Sequence, residues 1–85
     1  DPKEEERLYE ILLTLNEIIN NLLTQSSDYI TPEDNEKLKI LFPNSAIKFE
    51  SMERFKLITT LSKKSINIAN RYKELQVKVS DTCLL

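Results

Sequence analysis

The residues of this chain that could do chemistry are acids and bases, and their spacing favours surface roles. Carboxylates are paired at Glu6 and Glu10 and clustered at Glu33, Asp34 and Glu36. General acid–base catalysis needs one carboxylate of such a pair in a desolvated place. These carboxylates fall at predicted helix starts or on predicted polar faces, so the pattern predicts that the chain is not an enzyme.

Residue types that most catalytic and metal sites use are missing from the 85 residues. There is no histidine, the commonest general base and metal ligand, and no glycine to let a backbone loop approach a phosphate group closely. Cys83 is the one cysteine, so it forms neither an internal disulfide nor a zinc site. We expect no cofactor, no metal and no small-molecule substrate.

Basic residues lie along the back of the last predicted helix, and these are Lys56, Lys63, Lys64, Arg71 and Lys78. A basic helix can follow phosphate groups and bind them in a salt-dependent way. No aromatic residues interleave with this basic face, and the net charge of the whole chain is −2. Binding of nucleic acid or another acidic surface is therefore the alternative function, and a solvated face is the plainer interpretation.

Charge is divided unevenly along the chain. Residues 1–36 carry ten acidic and two basic residues, a charge of −8, and residues 37–85 carry ten basic and four acidic residues, a charge of +6. Opposite charges favour pairing between the first and last helices. The split predicts complementary helices within one chain, or a basic face that binds an acidic partner.

Three helices are predicted from their start and stop signals. Asp1-Pro2-Lys3-Glu4 and Thr31-Pro32-Glu33-Asp34 both place a capping side chain before a proline and acids in the first turn, which suits the positive end of a helix. Helix 1 is predicted over about 2–26. Helix 2 is predicted over about 32–42, ending before Pro43, and helix 3 over about 51–79.

Both long helices carry an apolar stripe at helical spacing. Helix 1 presents Leu8, Ile11, Leu12, Leu15, Ile18, Ile19 and Leu22. Helix 3 presents a heptad seam of the coiled-coil kind, made of Ile58, Leu61, Ser65, Ile68, Tyr72, Leu75 and Val79. Ser65 and the nearby Ala69 are small, which permits close approach of another helix.

The fold class is therefore all-α, a three-helix bundle in a single domain over 1–85. Short connections make sequential helices antiparallel, so helices 1 and 3 are expected to run parallel or to pair between chains. The short middle helix cannot cover both long stripes. An uncovered apolar stripe indicates self-association or a partner helix, and the sequence leaves both open.

A second, weaker apolar stripe on helix 3 consists of Met52, Phe55, Ile66 and Val77. It is expected either to contact helix 2 and the loop over 42–49 or to form a groove for a partner. The predicted function is a non-enzymatic interaction or oligomerisation module, such as an adaptor or scaffold. Its predicted partner-binding residues are Leu15, Ile19, Leu22, Phe55, Ile66, Ile68, Tyr72 and Leu75.

The ends of the sequence add two expectations. The chain begins Asp-Pro without methionine, so we expect a domain of a longer protein. Asp81-Thr82-Cys83-Leu84-Leu85 resembles the acidic dileucine signals that clathrin adaptors bind, through three fixed positions.

Apolar runs never exceed three residues, so we expect neither a membrane span nor a signal peptide. Cys83 is expected to be a reduced thiol, which favours an intracellular protein of the cytoplasm or nucleus.

Overall fold

The computed structural model describes the backbone of residues 2–84 and the side chains of residues 2–77. It contains three α-helices: α1 (Pro2–Thr24), α2 (Pro32–Leu41) and α3 (Arg54–Leu84). One short 3₁₀ helix, Phe49–Ser51, precedes α3. The molecule measures 52 × 23 × 17 Å, and α3 sets its length because 31 helical residues extend about 46 Å. The predicted all-α bundle with a short middle helix is confirmed.

Helix α2 begins and ends where the sequence signals predict. The Thr31 hydroxyl accepts a hydrogen bond from the backbone N–H of Asp34 at 3.2 Å, and Pro32 occupies the first turn. This bond satisfies one of the N–H groups that a helix start leaves unpaired. At the other end Phe42 leaves the helical conformation, as expected for a residue that precedes a proline.

Helix α3 begins three residues later than predicted and ends later too. The Glu53 carboxylate caps its start, because it accepts hydrogen bonds from the N–H groups of Phe55 at 2.7 Å and Lys56 at 3.3 Å. The helix continues past Val79 to Leu84. Residues 80–84 include neither glycine nor proline, so no strong stop signal interrupts it.

Helices α1 and α3 run antiparallel, so the alternative in which they run parallel within one chain was wrong. The Arg54 guanidinium, at the start of α3, donates to the Gln25 carbonyl just after α1. At the opposite end Gln76 donates to the Glu5 carboxylate at 3.0 Å. The reason is the connection over 42–53: it is long enough, at about 3.3 Å per extended residue, to return along the whole of the ten-residue α2.

The core lies between the three helices. Its fully buried side chains are Leu15, Ile18, Leu22, Leu38, Leu57 and Leu61. All seven residues of the predicted α1 stripe are buried or half-buried. Leu57 is absent from the predicted heptad seam, yet it is buried. The side of α3 that faces the core is therefore rotated by about 40° about the helix axis from the side that the seam predicts. The connecting segments also contribute to the core, through Ile30 and Phe49.

Candidate protein-binding surface

Among the described residues, the side chains that could ligate a metal form no metal centre. No group of three or more His, Cys, Asp or Glu side chains could hold a metal ion there, and no helix in the described part of the chain is both long and apolar enough to span a membrane. Asp34 differs from the expectation of an exposed carboxylate, because it is buried. It accepts a hydrogen bond from Asn21 at 3.1 Å and lies 3.7 Å from Lys37, so it joins α2 to α1.

Helix α2 covers only one side of α1. Ile40 and Leu41 of α2 border the same surface depression as Arg7 and Thr14 of α1, and the Asn21–Asp34 hydrogen bond lies farther along the same side. Arg7, Thr14 and Asn21 are spaced by seven residues, so they form one row on the helix. This row marks the side of α1 that α2 occupies.

The opposite side of α1 is uncovered. Residues two positions apart on a helix point about 160° away from each other, so the row Tyr9, Asn16 and Leu23 faces away from α2. All three side chains are exposed, and Leu23 exposes 59% of its surface. Between this row and the core, Leu12 and Ile19 are half-buried.

Helix α3 continues the same uncovered surface. The Lys64 ammonium lies 4.7 Å from the centre of the Phe42 ring, which marks the side of α3 that faces the end of α2. Ser62 lies two positions earlier, so it points about 160° away, and Phe55 and Ala69 share its row at seven-residue spacing. Phe55 exposes 63% of its surface, and Ala69 is exposed.

We call these two rows together the open face, namely Tyr9, Asn16 and Leu23 of α1 with Phe55, Ser62 and Ala69 of α3. Its floor consists of half-buried residues, which are Leu12, Ile19, Ile58, Ser65 and Tyr72. The Tyr9 and Tyr72 rings are tilted against each other with 6.2 Å between their centroids. Beside them an open depression of about 420 Å³ lies at one end of the face.

The predicted partner-binding residues divide into three groups in this fold. Leu15 and Leu22 have no exposed surface and Leu75 is buried, so these three stabilise the chain itself. Ile19, Ile68 and Tyr72 are half-buried. Phe55 and Ile66 are well exposed, Ile66 by 59% of its surface, and only these two present large apolar groups to solvent.

The second apolar stripe of helix 3 does not pack against α2 as a unit. Met52 packs on the core, but Phe55, Ile66 and Val77 remain exposed. The cause is the burial of Leu57: Phe55 lies two positions before it, so Phe55 points about 160° away from the core side of α3. The stripe therefore borders the open face and is available to another molecule.

The predicted basic face is partly used within the chain. Arg71 forms ion pairs with Glu4 at 3.1 Å and Glu74 at 3.4 Å. The hydrogen bond to Glu4, with the charge of that carboxylate, raises the pKa of Arg71 above its usual value. Lys64 lies over the Phe42 ring. Lys56 and Lys63 are exposed, and Lys78 lies outside the described side chains, as do Val79 of the seam and the Asp-x-x-Leu-Leu segment.

Charged side chains of opposite sign border the two edges of the open face. The α1 edge carries Glu6 and Glu17, and the α3 edge carries Lys73, all three exposed. Within residues 2–77, none of the three forms an ion pair. The charge difference between the halves of the sequence thus appears as one acidic and one basic edge.

Comparison with known proteins assigns the chain to no family. No family model matches the chain, and neither any curated protein nor any solved structure is significantly similar to it. The function is therefore argued from the geometry alone.

Proposed function

We propose that the chain is a non-enzymatic protein–protein interaction module that binds its partner on the open face. The single observation that carries the proposal is that α2 covers the α1–α3 pair on one side only. Helix α2 lies on one side of α1, while the row of Tyr9 and Leu23 on the other side is exposed. Exposed apolar side chains that share one face are typical of interaction sites.

The side chains of the open face and its floor support the binding of a helix. Small side chains, Ser62, Ser65 and Ala69, occupy its α3 side, so another helix can approach closely, while Leu12 and Ile19 offer apolar surface on the α1 side. Burial of a few hundred Å² of apolar surface contributes several kcal/mol at about 25 cal/mol per Å². Part of this gain offsets the entropy lost on association.

The alternative function, binding of nucleic acid or another acidic surface by the basic face, has weaker support. Arg71 and Lys64 are engaged by groups of the same chain, which leaves Lys56 and Lys63 of the described basic-face residues free to contact phosphates. Such binding would weaken steeply as the salt concentration rises. The expectation of an intracellular adaptor or scaffold remains a prediction.

The experiment that tests the proposal places a photo-reactive benzophenone side chain at position 23, on the open face. Position 40 is the matched control, because Ile40 is a large apolar residue on α2 with 77% of its surface exposed. We expect covalent adducts of defined mass, with the chain itself or with another protein, from position 23 and none from position 40. Equal adduct yields, or no adduct from either position, would contradict the proposal.

A further inference from the structure

We propose that the partner on the open face is a second copy of this chain, related by a two-fold axis parallel to the helices, so that α1 of each copy packs on α3 of the other. This inference rests on the proposed function and specifies its partner. The two copies would form a four-helix bundle with the two α2 helices on its outer sides. All neighbouring helices in this bundle are antiparallel, as in many natural four-helix bundles.

The contacts within one chain fix which residues of α1 and α3 lie level. Gln25 contacts Arg54 at one end, and Tyr9 contacts Tyr72 at the other. Both helices rise by the same distance per residue, in opposite directions. A residue of α1 and a residue of α3 therefore lie at the same height along the bundle when their two residue numbers add up to about 80. A two-fold axis parallel to the helices leaves every height unchanged. The same register therefore holds between the two copies.

In this register the two rows of the open face match residue by residue. Both rows have a spacing of seven, so they stay in step along the bundle. The level pairs between copies are Tyr9 with Ala69, Asn16 with Ser62, and Leu23 with Phe55. A large ring thus meets a small side chain, a polar group meets a polar group, and two exposed apolar side chains cover each other.

The edges of the open face match in the same register. Leu13 of one copy is level with Ile66 of the other, and both are exposed apolar residues outside the core. Glu6 of one copy is level with Lys73 of the other. Neither side chain forms an ion pair within the described residues of one chain, so both are available to a second copy.

The edge charges favour a two-fold axis parallel to the helices over a two-fold axis perpendicular to them. An axis perpendicular to the helices, in the plane of the open face, would place α1 on α1 and α3 on α3. The edge glutamates would then approach glutamates, and the edge lysines would approach lysines, which disfavours that complex. The axis parallel to the helices places each acidic edge against a basic edge. It also closes the assembly at two copies, because the same surface of both is used.

The size of the open face is sufficient for a stable dimer. Helix α1 has 23 residues, so two helices side by side present an area about 35 Å long and 20 Å wide. This is about 700 Å² per copy, close to the ~800 Å² that each partner contributes to a standard stable interface. The exposed apolar residues of both helices lie within or beside this area.

The test is the solution mass of the chain by sedimentation equilibrium and light scattering, from micromolar to millimolar concentration. We expect a reversible monomer–dimer equilibrium. Ala69→Arg, which places a long charged side chain in the exposed row of α3, should abolish the dimer while circular dichroism remains unchanged. Asn67→Arg adds the same charge on the other side of α3 and should leave the dimer intact. A strict monomer at millimolar concentration would overturn the proposal, and so would a dimer that tolerates Ala69→Arg.

Charge reversal tests the orientation of the two copies. Glu6→Lys or Lys73→Glu alone turns two attractive pairs per dimer into repulsive ones and should weaken the dimer about tenfold at low salt. The double variant restores both pairs and should recover most of the loss. Absence of recovery would overturn the α1-on-α3 arrangement. If the chain is monomeric but position 23 still forms adducts with another protein, self-pairing fails and the proposed function stands; if both are absent, both fail.

Discussion

The substitution Leu57→Ala tests the orientation of α3, on which the open face depends. Leu57 lies outside the heptad seam that the sequence predicts, yet none of its surface is exposed. If α3 had the predicted rotation, Leu57 would lie at the edge of the core and its truncation would cost little. In the observed rotation the side chain fills the space between α1 and α3.

The expected cost follows from this burial. Truncation of a fully buried leucine removes its transfer free energy and leaves a cavity, which together lower the free energy of unfolding by about 3 kcal/mol. Leu13→Ala is the matched control, because the same atoms are removed from a side chain with 50% of its surface exposed. Its cost should stay below about 1 kcal/mol.

Urea unfolding followed by circular dichroism measures both variants, at concentrations low enough to keep the chain monomeric. A domain of this size has an m-value of about 1 kcal/mol per molar urea, so Leu57→Ala should lower the midpoint by about 3 M. Leu13→Ala should lower it by less than a third of that. Equal shifts for the two variants would refute the rotation of α3 and, with it, the assignment of Phe55 and Ala69 to one exposed row.

Three further predictions address the seam, the α2 cap and the orientation of the copies. Ile68→Asp should unfold or dissociate the domain, because a carboxylate would be desolvated beside the core; an unchanged, fully folded variant by circular dichroism and light scattering would contradict the seam. Thr31→Ala should lower the free energy of unfolding by about 1 kcal/mol in urea titrations, and Thr31→Ser should preserve it. Equal free energies of unfolding for the unchanged chain and the two variants would exclude the capping role of Thr31. In a Cys83→Ser background, Leu23→Cys mixed with Phe55→Cys should form oxidised dimers on non-reducing gels. Equal dimer yields from either variant alone would contradict the α1-on-α3 arrangement.

Local signals in the sequence predict the elements of this fold well. Thr31 and Pro32 identify the start of α2 because a cap and a proline act within one turn, whatever the rest of the chain does. The stripe from Leu8 to Leu22 identifies the buried side of α1 because an apolar row must face a core. Neither signal depends on how the helices are arranged.

The arrangement of the helices depends on information that local patterns do not carry. The antiparallel pairing of α1 and α3 follows from a connection over 42–53 that lies along α2, with Phe49 buried in the core. An isolated phenylalanine in a segment without periodicity gives no sign of its burial. The rotation of α3 likewise depends on packing, since Leu57 and Ile58 are adjacent apolar residues and the sequence alone does not say which of them is buried.

The charge division of the sequence acquires a physical role once this arrangement is known. If the acids of α1 and the bases of α3 served only to join the two helices within one chain, ion pairs should run along their contact. Among the described side chains the only ion pair between these two helices joins Arg71 to Glu4, while Glu6, Glu17 and Lys73 lie at the outer edges. Charges in these positions contribute little to folding, because exposed single charges are well solvated. They do discriminate between orientations of an incoming surface, and a surface with one basic edge and one acidic edge at matching heights is the complement that they favour.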